Sequence, residues 1–232
     1  MTQGEIGYIL QTTLQSVLQS RKINTPVAAL VTQVLVDRSD PAFSHPTKPI
    51  GPFYSEETAV RKREELGWDI VEDAARGYRR VVPSPKPCEI VELEAIRQCL
   101  SQGFVVIASG GGGIPVVETD GTIRGVEAVI DKDRASALLG TQLGLQWMII
   151  STEVEQVYLN YKQPNQQPIP RMSLEQAKRR LSEGHFLEGS MGPKIEAAIQ
   201  FIEAGGQEVI ITDPDHLLPA LDGQSGTHIV RE

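Results

Sequence analysis

Short apolar segments rich in β-branched residues alternate along this chain with segments of helical periodicity. The strand candidates are nearly continuous apolar runs, as is typical of strands buried on both faces: PVAALVTQVLV, FVVIAS, WMIIST, EVIITD and THIV. Between them lie three segments with helical spacing and a glycine at or just past the end: LEAIRQCLSQG, KDRASALLGTQLG and GPKIEAAIQFIEAGG. This order predicts βαβ units, and therefore an α/β fold with a mostly parallel sheet covered by helices.

Two stretches depart from the alternation. The segment VVETDGTI contains Asp120-Gly121, a pair that predicts a hairpin turn. Residues 39–87 are rich in proline and charge and include one helical pattern, SEETAVRKREELGW. Because a structureless loop of this length is uncommon in a compact domain, we predict a small lid subdomain at 39–87, inserted into one domain over residues 1–232.

Composition excludes several classes of protein. A net charge of −8 over 232 residues argues against binding to nucleic acid or to an acidic membrane surface. We find no apolar stretch long enough to span a bilayer, and MTQGEIGYIL lacks the basic start of a signal peptide. Cys88 and Cys99 have neither metal-site spacing nor the pattern of a disulfide framework, which favours the cytoplasm. Because the net charge is negative, any site that binds an anion must be a local group of positive charges.

Four consecutive glycines follow one strand candidate: Gly110, Gly111, Gly112 and Gly113. They do not form a P-loop, which ends in Gly-Lys-Ser/Thr, or a dinucleotide loop, because Pro115 stands where the last glycine belongs. A tight turn alone would need one or two glycines. Four in a row favour close approach of a ligand to the backbone.

Two lysines lie at predicted helix starts. Pro193 suits the first helical position and places Lys194 in the first turn, and Lys132 stands between Asp131 and Asp133 at the start of another helix. A cation there opposes the helix dipole, and a bound anion would remove the conflict. The alternatives are an exposed, screened lysine at 194 and a weak surface ion pair at 132.

Lys48 lies in HPTKPIGP, where prolines restrict the backbone and could present the lysine from a fixed loop, although a solvated loop charge is the simpler explanation. Three lysines in restricted contexts, beside a glycine loop in an acidic protein, favour phosphoryl transfer. That reaction requires positive charge on the moving group, together with Mg²⁺. Asp133 would hold lysines in position and would not act as a base.

Five motifs together resemble the carbamate kinases of the amino-acid kinase superfamily, in order and in approximate spacing: PAFSHPTKPIGPFY, RRVVPSPKP, SGGGGIPVV, GVEAVIDKDRASALL and GSMGPKIEAAI. The resemblance covers the whole chain. It implies a three-layer α/β/α core with a protruding lid, a homodimer, and Mg²⁺ bound with ADP or ATP. It also implies phosphoryl transfer between carbamoyl phosphate and ADP in the breakdown of arginine or agmatine.

The resemblance also implies roles for individual residues. Lys48 would reach the transferred phosphoryl group from the lid, Lys132 and Asp133 would form the catalytic centre, and Lys194 would contact the nucleotide phosphates. The glycine loop would face the substrate. The segments STEVEQVYLNY and GSMG would line the nucleotide pocket, through Thr152, Val154, Tyr158, Met191 and Gly192. Glu153 departs from the smaller or different residue that is usual at its position, which affects the lining of that pocket.

The start of the chain departs from the family pattern. Family members begin with a strand carrying a Gly-Gly-Asn loop and continue to a His-Gly-Asn-Gly-Pro loop, and neither occurs here. MTQGEIGYIL instead resembles a helix of the family's dimer interface, with Met1 as an internal methionine. A sheet without a central strand exposes unpaired backbone, so we expect the 232-residue chain by itself to fold poorly and to be inactive.

Three functions follow from these observations. The first is a carbamate kinase whose N-terminal segment lies outside this sequence. The second is a non-catalytic nucleotide-binding chain that partners a full-length homologue. The third is a superfamily kinase with another acid substrate, such as N-acetylglutamate or a nucleoside monophosphate, and the PTKPIGP lid argues against it.

Overall fold

The computed structural model of the protein describes residues 2–73, 76–186 and 190–232. Met1 and Gly189 of the GSMG motif, both considered above, lie outside the described residues. The chain divides into two compact units, Met1–Asp131 and Lys132–Glu232. Across the described ranges, no helix combines the length and the apolar content needed to cross a membrane.

The first unit contains three helices and nine strands within its described residues. The helices are α1 (Thr2–Ser20), α2 (Glu56–Leu66) and α3 (Leu93–Ser101). The strands are β1 (Val27–Ala29), β2 (Gln33–Val36), β3 (Lys48–Tyr54), β4 (Ile70–Glu72), β5 (Tyr78–Val82), β6 (Pro87–Ile90), β7 (Val105–Ile107), β8 (Ile114–Thr119) and β9 (Thr122–Gly125). They form a parallel β1–β7 pair, a mixed sheet in the order β6-β2-β8-β9, and an antiparallel sheet in the order β3-β5-β4.

The run PVAALVTQVLV is two strands and not the single strand that its apolar character predicts. β1 and β2 belong to different sheets, and the break between them includes Thr32, which is fully buried. The side chain of Gln3 bonds the backbone of Thr32, since its Oε1 accepts from the amide at 2.9 Å and its Nε2 donates to the carbonyl at 3.0 Å. A side chain distant in sequence therefore helps to satisfy the backbone between the two strands.

The segment predicted to be a lid has secondary structure of its own. Ser55 caps the start of α2, because its hydroxyl accepts from the amide of Thr58, and Gly67 ends the helix in the left-handed conformation at φ 63°. The antiparallel β3-β5-β4 sheet lies wholly within the predicted range. A separate lid subdomain at 39–87 remains a proposal, and this local sheet and helix support it.

The second unit contains four helices and six strands within its described residues. The helices are α4 (Lys132–Gln142), α5 (Leu174–Ser182), α6 (Met191–Glu203) and α7 (Leu217–Leu221). The strands are β10 (Trp147–Ser151), β11 (Val157–Leu159), β12 (Gln167–Ile169), β13 (Arg171–Ser173), β14 (Glu208–Thr212) and β15 (Thr227–Val230). Their main sheet has the order β10-β14-β15-β13, and β11 and β12 form an antiparallel pair.

The core of the second unit lies between α6 and the main sheet. Ile195, Phe201 and Ile202 of α6 are fully buried in one apolar cluster with Val209 and Ile211 of β14. Burial of these side chains provides the main favourable free energy for packing helix against sheet. It also fixes the start of α6, where Lys194 lies.

The α/β class predicted from the sequence is confirmed, but the sheets are mixed. Parallel pairing joins β1 with β7, β2 with β8, β10 with β14, and β13 with β15. The antiparallel pairs include the predicted hairpin between β8 and β9, which a two-residue turn connects. Its turn residues Asp120 and Gly121 have φ values of 52° and 71°, as a two-residue hairpin turn requires.

Candidate active site

Lys48 is the first residue of β3 and is bound to a carboxylate of the same unit. Its Nζ donates to Oδ2 of Asp131 at 2.6 Å, and the Asp131 side chain is buried. Lys48 therefore begins a strand and is not the solvated loop charge that was the simpler explanation of its sequence context. The Lys48 side chain keeps 31% of its surface exposed, so an incoming anion could reach its ammonium group.

The four glycines do not all behave alike. Gly110–Gly112 form a 3₁₀ turn, and a Cβ built on Gly112 would lie 2.2 Å from the carbonyl oxygen of Ile130. A Cβ on Gly113 would lie 2.3 Å from Cγ2 of Val34. These two glycines are thus required by close packing within the protein. Gly110 and Gly111 are exposed at the start of the turn, where amide groups have no acceptor within the helical turn, and they are the pair that could face a ligand.

A second cluster of charge joins the starts of α4 and α6. Oδ2 of the buried Asp133 accepts from Nζ of Lys194 at 3.0 Å and lies 3.6 Å from Nζ of Lys132. Arg134 and Glu196, the next pair along the same helices, form an ion pair at 2.7 Å. Asp133 is therefore in contact with both lysines, which is the arrangement that the hypothesis of a lysine-positioning carboxylate requires.

The two lysines of this cluster differ in exposure. The side chain of Lys194 is 11% exposed and that of Lys132 is 64% exposed. A buried ammonium requires a charged or hydrogen-bonding partner, so Lys194 is not the exposed, screened lysine considered above. The ion pair of Lys132 with Asp133 is loose and solvated, and pairs of this kind contribute little stability. Its ammonium could leave Asp133 for a bound anion at small cost.

The start of α6 differs from the sequence prediction by two residues. The helix begins at Met191 and not at Pro193, although Lys194 remains in its first turn. Pro193 is tolerated there because the first amide groups of a helix have no acceptor within it. The prediction that α4 begins at Lys132 agrees with the structure.

A cavity of about 380 Å³ in the second unit brings together four of the five residues predicted for a nucleotide pocket: Thr152, Val154, Tyr158 and Met191. Glu153 also lines this cavity. The fifth residue, Gly192, is buried in α6 next to Met191 and does not line it. Tyr161, which lies within the predicted segment STEVEQVYLNY, is also a lining residue. The sequence prediction did not include Lys162, His185 and Phe186, which line the cavity as well. Lys162 directly follows the predicted segment, and its position beside Tyr161 was the available signal for it.

Two stacked rings form one side of the cavity. The ring centroids of Tyr158 and Tyr161 are 6.0 Å apart at an angle of 28°, and Nζ of Lys162 lies 5.3 Å from the Tyr161 ring. Burial raises the pKa of the Tyr158 phenol, with further increases from nearby Glu155 and Tyr161. Tyr158 is therefore a neutral hydrogen-bond donor at physiological pH, on an aromatic surface with a cation beside it.

A hydrogen-bonded group that the sequence did not indicate supports the loop lining this cavity. Nδ1 of His216 contacts Oδ1 of Asp213 at 2.8 Å, its Nε2 is 3.9 Å from Oε2 of Glu155, and Ser225 donates to Oε1 of Glu155 at 2.8 Å. The hydrogen bond with Asp213 raises the pKa of His216. Burial favours the neutral form of Asp213, but the hydrogen bonds from His216 outweigh it and lower the pKa of Asp213.

Comparison with known proteins gives consistent matches along the chain. The sequence profile of the Amino acid kinase family matches residues 14–213. The carbamate kinase of Thermococcus kodakarensis is 48% identical over 232 residues, which are 100% of this chain and 74% of that protein. That of Pyrococcus furiosus is 47% identical over 230 residues, 99% of this chain and 73% of the relative. The solved structure of carbamate kinase from Giardia lamblia bound to AMP-PNP has a TM-score of 0.90 at 41% identity, covering 100% of this chain and 74% of its own.

Proposed function

The chain belongs to the carbamate kinases of the amino acid kinase family, and from this premise we propose that it transfers a phosphoryl group from carbamoyl phosphate to ADP. An oxygen of the ADP β-phosphate attacks phosphorus, and the bond from phosphorus to the carbamoyl oxygen breaks. The products are ATP and carbamate, which decomposes to ammonia and CO₂. The observation that carries the proposal is the Asp133 carboxylate in contact with two lysines at two helix starts.

The lysines supply the charge that this reaction needs. Phosphoryl transfer depends on positioning and on charge stabilisation, with little covalent participation by the protein. In our proposal Lys194 and Lys132 contact the oxygens of the nucleotide and of the moving phosphoryl group, while Asp133 fixes their positions. For the first unit we propose that Lys48 exchanges Asp131 for a phosphoryl oxygen and that the backbone of the exposed Gly110 and Gly111 holds carbamoyl phosphate.

The cavity of the second unit is the proposed adenosine site. Tyr158 and Met191 would contact the adenosine, and Lys162 beside Tyr161 supplies positive charge at the wall. The relative from Giardia lamblia was solved with AMP-PNP, a nucleotide of the same class, which supports this assignment. Within the described residues, no three His, Cys, Asp or Glu side chains are grouped as a metal site. We propose MgADP as the nucleotide substrate, because phosphate oxygens are ligands that Mg²⁺ prefers.

The biological setting is proposed from the family. We place the enzyme in the cytoplasm, at the ATP-forming step of arginine or agmatine breakdown, as a homodimer. The exposed apolar side chains of α1 support the homodimer: Ile6, Tyr8, Ile9, Leu10 and Val17. Glu5 is the one charged residue of that helix, so two copies of α1 would meet with little repulsion.

A coupled assay tests the function. The 232 residues alone, which we expect to be inactive, and the same residues preceded by the N-terminal segment of a relative are each mixed with ADP, Mg²⁺ and carbamoyl phosphate, and ATP is followed by luciferase. The kinetic variants below are made in the form that carries this segment. Acetyl phosphate replaces the donor in one control, and N-acetylglutamate or UMP with ATP replaces the substrates in two others. The proposal is supported if ATP forms from ADP with carbamoyl phosphate and does not form with acetyl phosphate. ADP binding by calorimetry without ATP formation identifies a non-catalytic nucleotide-binding chain, and turnover of another acid identifies a different kinase of the superfamily.

A further inference from the structure

Three contacts join the β3-β5-β4 sheet, called the lid sheet below, and Pro83 just after it to residues 127–131 of the same unit. Nζ of Lys48 donates to Asp131 at 2.6 Å, Arg80 forms an ion pair with Glu127, and the amide of Val129 donates to the carbonyl of Pro83 at 2.9 Å. The charged contacts lie on either side of the backbone hydrogen bond. The segment that presents Asp131 to Lys48 is therefore held at a second point by Arg80.

The strand register places Lys48 and Arg80 on one face of the lid sheet. Lys48 pairs with Val82, and Ile50 pairs with Arg80, in the antiparallel ladder of β3 and β5. Directly paired residues share a face, and so do residues two apart on one strand. Lys48 and Arg80 are thus diagonal neighbours on the face that meets residues 127–131.

The guanidinium of Arg80 is held in place from the other side by aromatic stacking. Its Cζ lies 4.5 Å from the ring centroid of Trp68, and Nζ of Lys62 lies 4.6 Å from the same ring. Arg80 is 23% exposed, whereas its partner Glu127 is 78% exposed. An ion pair with so exposed a carboxylate contributes little to the stability of the fold. We therefore look for its effect in the position of Arg80 relative to residues 127–131.

Given the proposed function, we propose that Arg80 is a positioning residue for phosphoryl transfer. Its ion pair with Glu127, together with its stacking on Trp68, sets the distance between the lid sheet and residues 127–131. That distance determines where Nζ of Lys48 lies when it leaves Asp131 for the phosphoryl group. Arg80 acts through Lys48 and does not itself contact the substrate.

Steady-state kinetics of Arg80→Gln, Glu127→Gln and the double variant test this role. We expect kcat to fall about fivefold to thirtyfold in each single variant, with KM for ADP changed less than about twofold, because displacement of a reacting group affects the chemical step. The double variant should be no slower than the worse single variant, since both substitutions break one contact. Arg76→Gln is the matched control, because Arg76 lies over Phe53 and pairs with Asp73 on the same lid. It should keep normal kcat.

A measurement independent of activity accompanies the kinetics. Brief acetylation of the folded protein, quantified by mass spectrometry, should label Lys48 about twofold to fivefold faster in Glu127→Gln than in the wild type, because a displaced lysine loses its contact with Asp131. Labelling of Lys178, on α5 of the second unit, should not change. Glu127 is exposed, so this variant keeps the fold even where Arg80→Gln does not.

The outcomes separate this inference from the proposed function. A wild type that makes no ATP even with the N-terminal segment of a relative refutes the proposed function, and the labelling of Lys48 then decides alone whether Arg80 and Glu127 position it. Unchanged Lys48 labelling in Glu127→Gln overturns the positioning role. In an active enzyme, an unchanged kcat also overturns it, as does a double variant whose losses simply multiply.

Discussion

At the scale of single residues, buried charges lie next to opposite charges at Asp131, Asp133 and Lys194, within the part of the chain that the structure describes. Lys194 and Asp133 are both buried, and their side chains are joined at 3.0 Å. Lys132 contacts the same carboxylate from the surface at 3.6 Å. One oxygen of Asp133 therefore pairs with a buried lysine that contributes to the stability of the fold and with an exposed lysine that contributes little to it.

Substitution of these lysines should separate folding from catalysis. We expect Lys194→Met to lower the free energy of unfolding by about 3 kcal/mol, because the buried Asp133 loses its closer partner. Lys132→Met should change it by less than about 0.5 kcal/mol, as for other exposed residues. Both should lower kcat at least about a hundredfold, since each removes positive charge from the transition state. Urea unfolding followed by circular dichroism gives the first quantity, and the luciferase assay gives the second.

The exposed Lys178 provides the control for both measurements, because Lys178→Met removes a lysine paired only with exposed glutamates among the described residues. Near-normal turnover of either test variant at saturating substrate would show that its lysine has no part in the chemistry.

His216 predicts a pH dependence of stability. Its pKa is raised in the folded state, so its contribution is fully present below the ordinary histidine value of about 6.5 and is lost as the pH rises through the folded-state pKa. Asp213 acts in the opposite range, because its lowered pKa gives stability that is lost only as the pH falls. We expect the Tm to fall as the pH rises above about 6.5, and His216→Gln to flatten that slope.

Thermal unfolding by calorimetry across this pH range measures the effect of His216. His45→Gln, at an exposed position of the first unit, is the control and should keep the wild-type slope. An equal slope in His216→Gln and wild type would contradict the prediction.

At the scale of elements, two short segments carry the proposed substrate contacts of the first unit. One is the start of β3 with Lys48, and the other is the 3₁₀ turn of Gly110–Gly112. The turn is fixed by close contact between Gly112 and the carbonyl of Ile130. The residue that follows Ile130 is Asp131, the partner of Lys48, so both elements are set against one short stretch of chain.

Lys48→Ala should reduce turnover more than nucleotide affinity. Lys48 is proposed to act on the transferring group from a lid, and lid residues act after the nucleotide has bound. We expect kcat to fall about a hundredfold, as for loss of one charge-stabilising donor, and the Kd for ADP to change less than about threefold. Calorimetry with ADP and steady-state kinetics measure the two quantities, with Lys86→Ala as an exposed lysine control from the same segment. A large loss of ADP affinity with little change of kcat would place Lys48 at the nucleotide.

Two glycine substitutions should separate packing from conformational preference in the turn. Gly111 has φ 68° with open space around its added Cβ, so Gly111→Ala should cost about 1 to 2 kcal/mol through left-handed backbone strain alone. Gly112→Ala adds a contact of 2.2 Å with backbone that cannot move aside, and it should be clearly more destabilising. Urea unfolding of both variants makes the comparison. Equal losses would mean that the contact between Gly112 and Ile130 relaxes freely.

At the scale of the whole molecule, the protein has a net charge of −8 and nevertheless contains local groups of lysine. The first unit ends at Asp131, which pairs with Lys48, and the second unit begins at Lys132, which lies with Lys194 near Asp133. Apolar surface is concentrated elsewhere, on α1. An acidic protein can thus offer a cationic site to phosphates without a basic surface that would bind nucleic acid.

The apolar surface of α1 predicts an effect on assembly. Ile9 is 54% exposed on a helix with one charged residue, and we propose that this helix lies in the homodimer interface. Ile9→Glu should shift the protein from twice the chain mass to the chain mass, because two buried carboxylates would face each other without partners. Light scattering after size exclusion measures this. The exposed Gln19→Glu is the control on the same helix, and a wild type already at the chain mass would refute the proposed dimer.

The sequence by itself determined the elements whose signals are local. Apolar periodicity located the helices α3, α4 and α6 and the strands β7, β10, β14 and β15, and Asp120-Gly121 located a hairpin. It also selected Lys48, Lys132, Asp133 and Lys194 for a site, since helix starts and restricted loops are visible in a few neighbouring residues. These features depend on interactions within one or two turns of chain, so a single sequence contains them.

Only the tertiary structure decided which side chains meet. Lys48 and Asp131 are 83 residues apart, Asp133 and Lys194 are 61 apart, and Arg80 and Glu127 are 47 apart. Gln3 bonds the backbone of Thr32 from 29 residues away, and the carbonyl of Ile130 explains why position 112 must be a glycine. Side-chain partners at such separations leave no periodic pattern in the chain, because they depend on how helices and sheets pack. The charge of each residue was therefore readable from the sequence, and its burial and its partner were not.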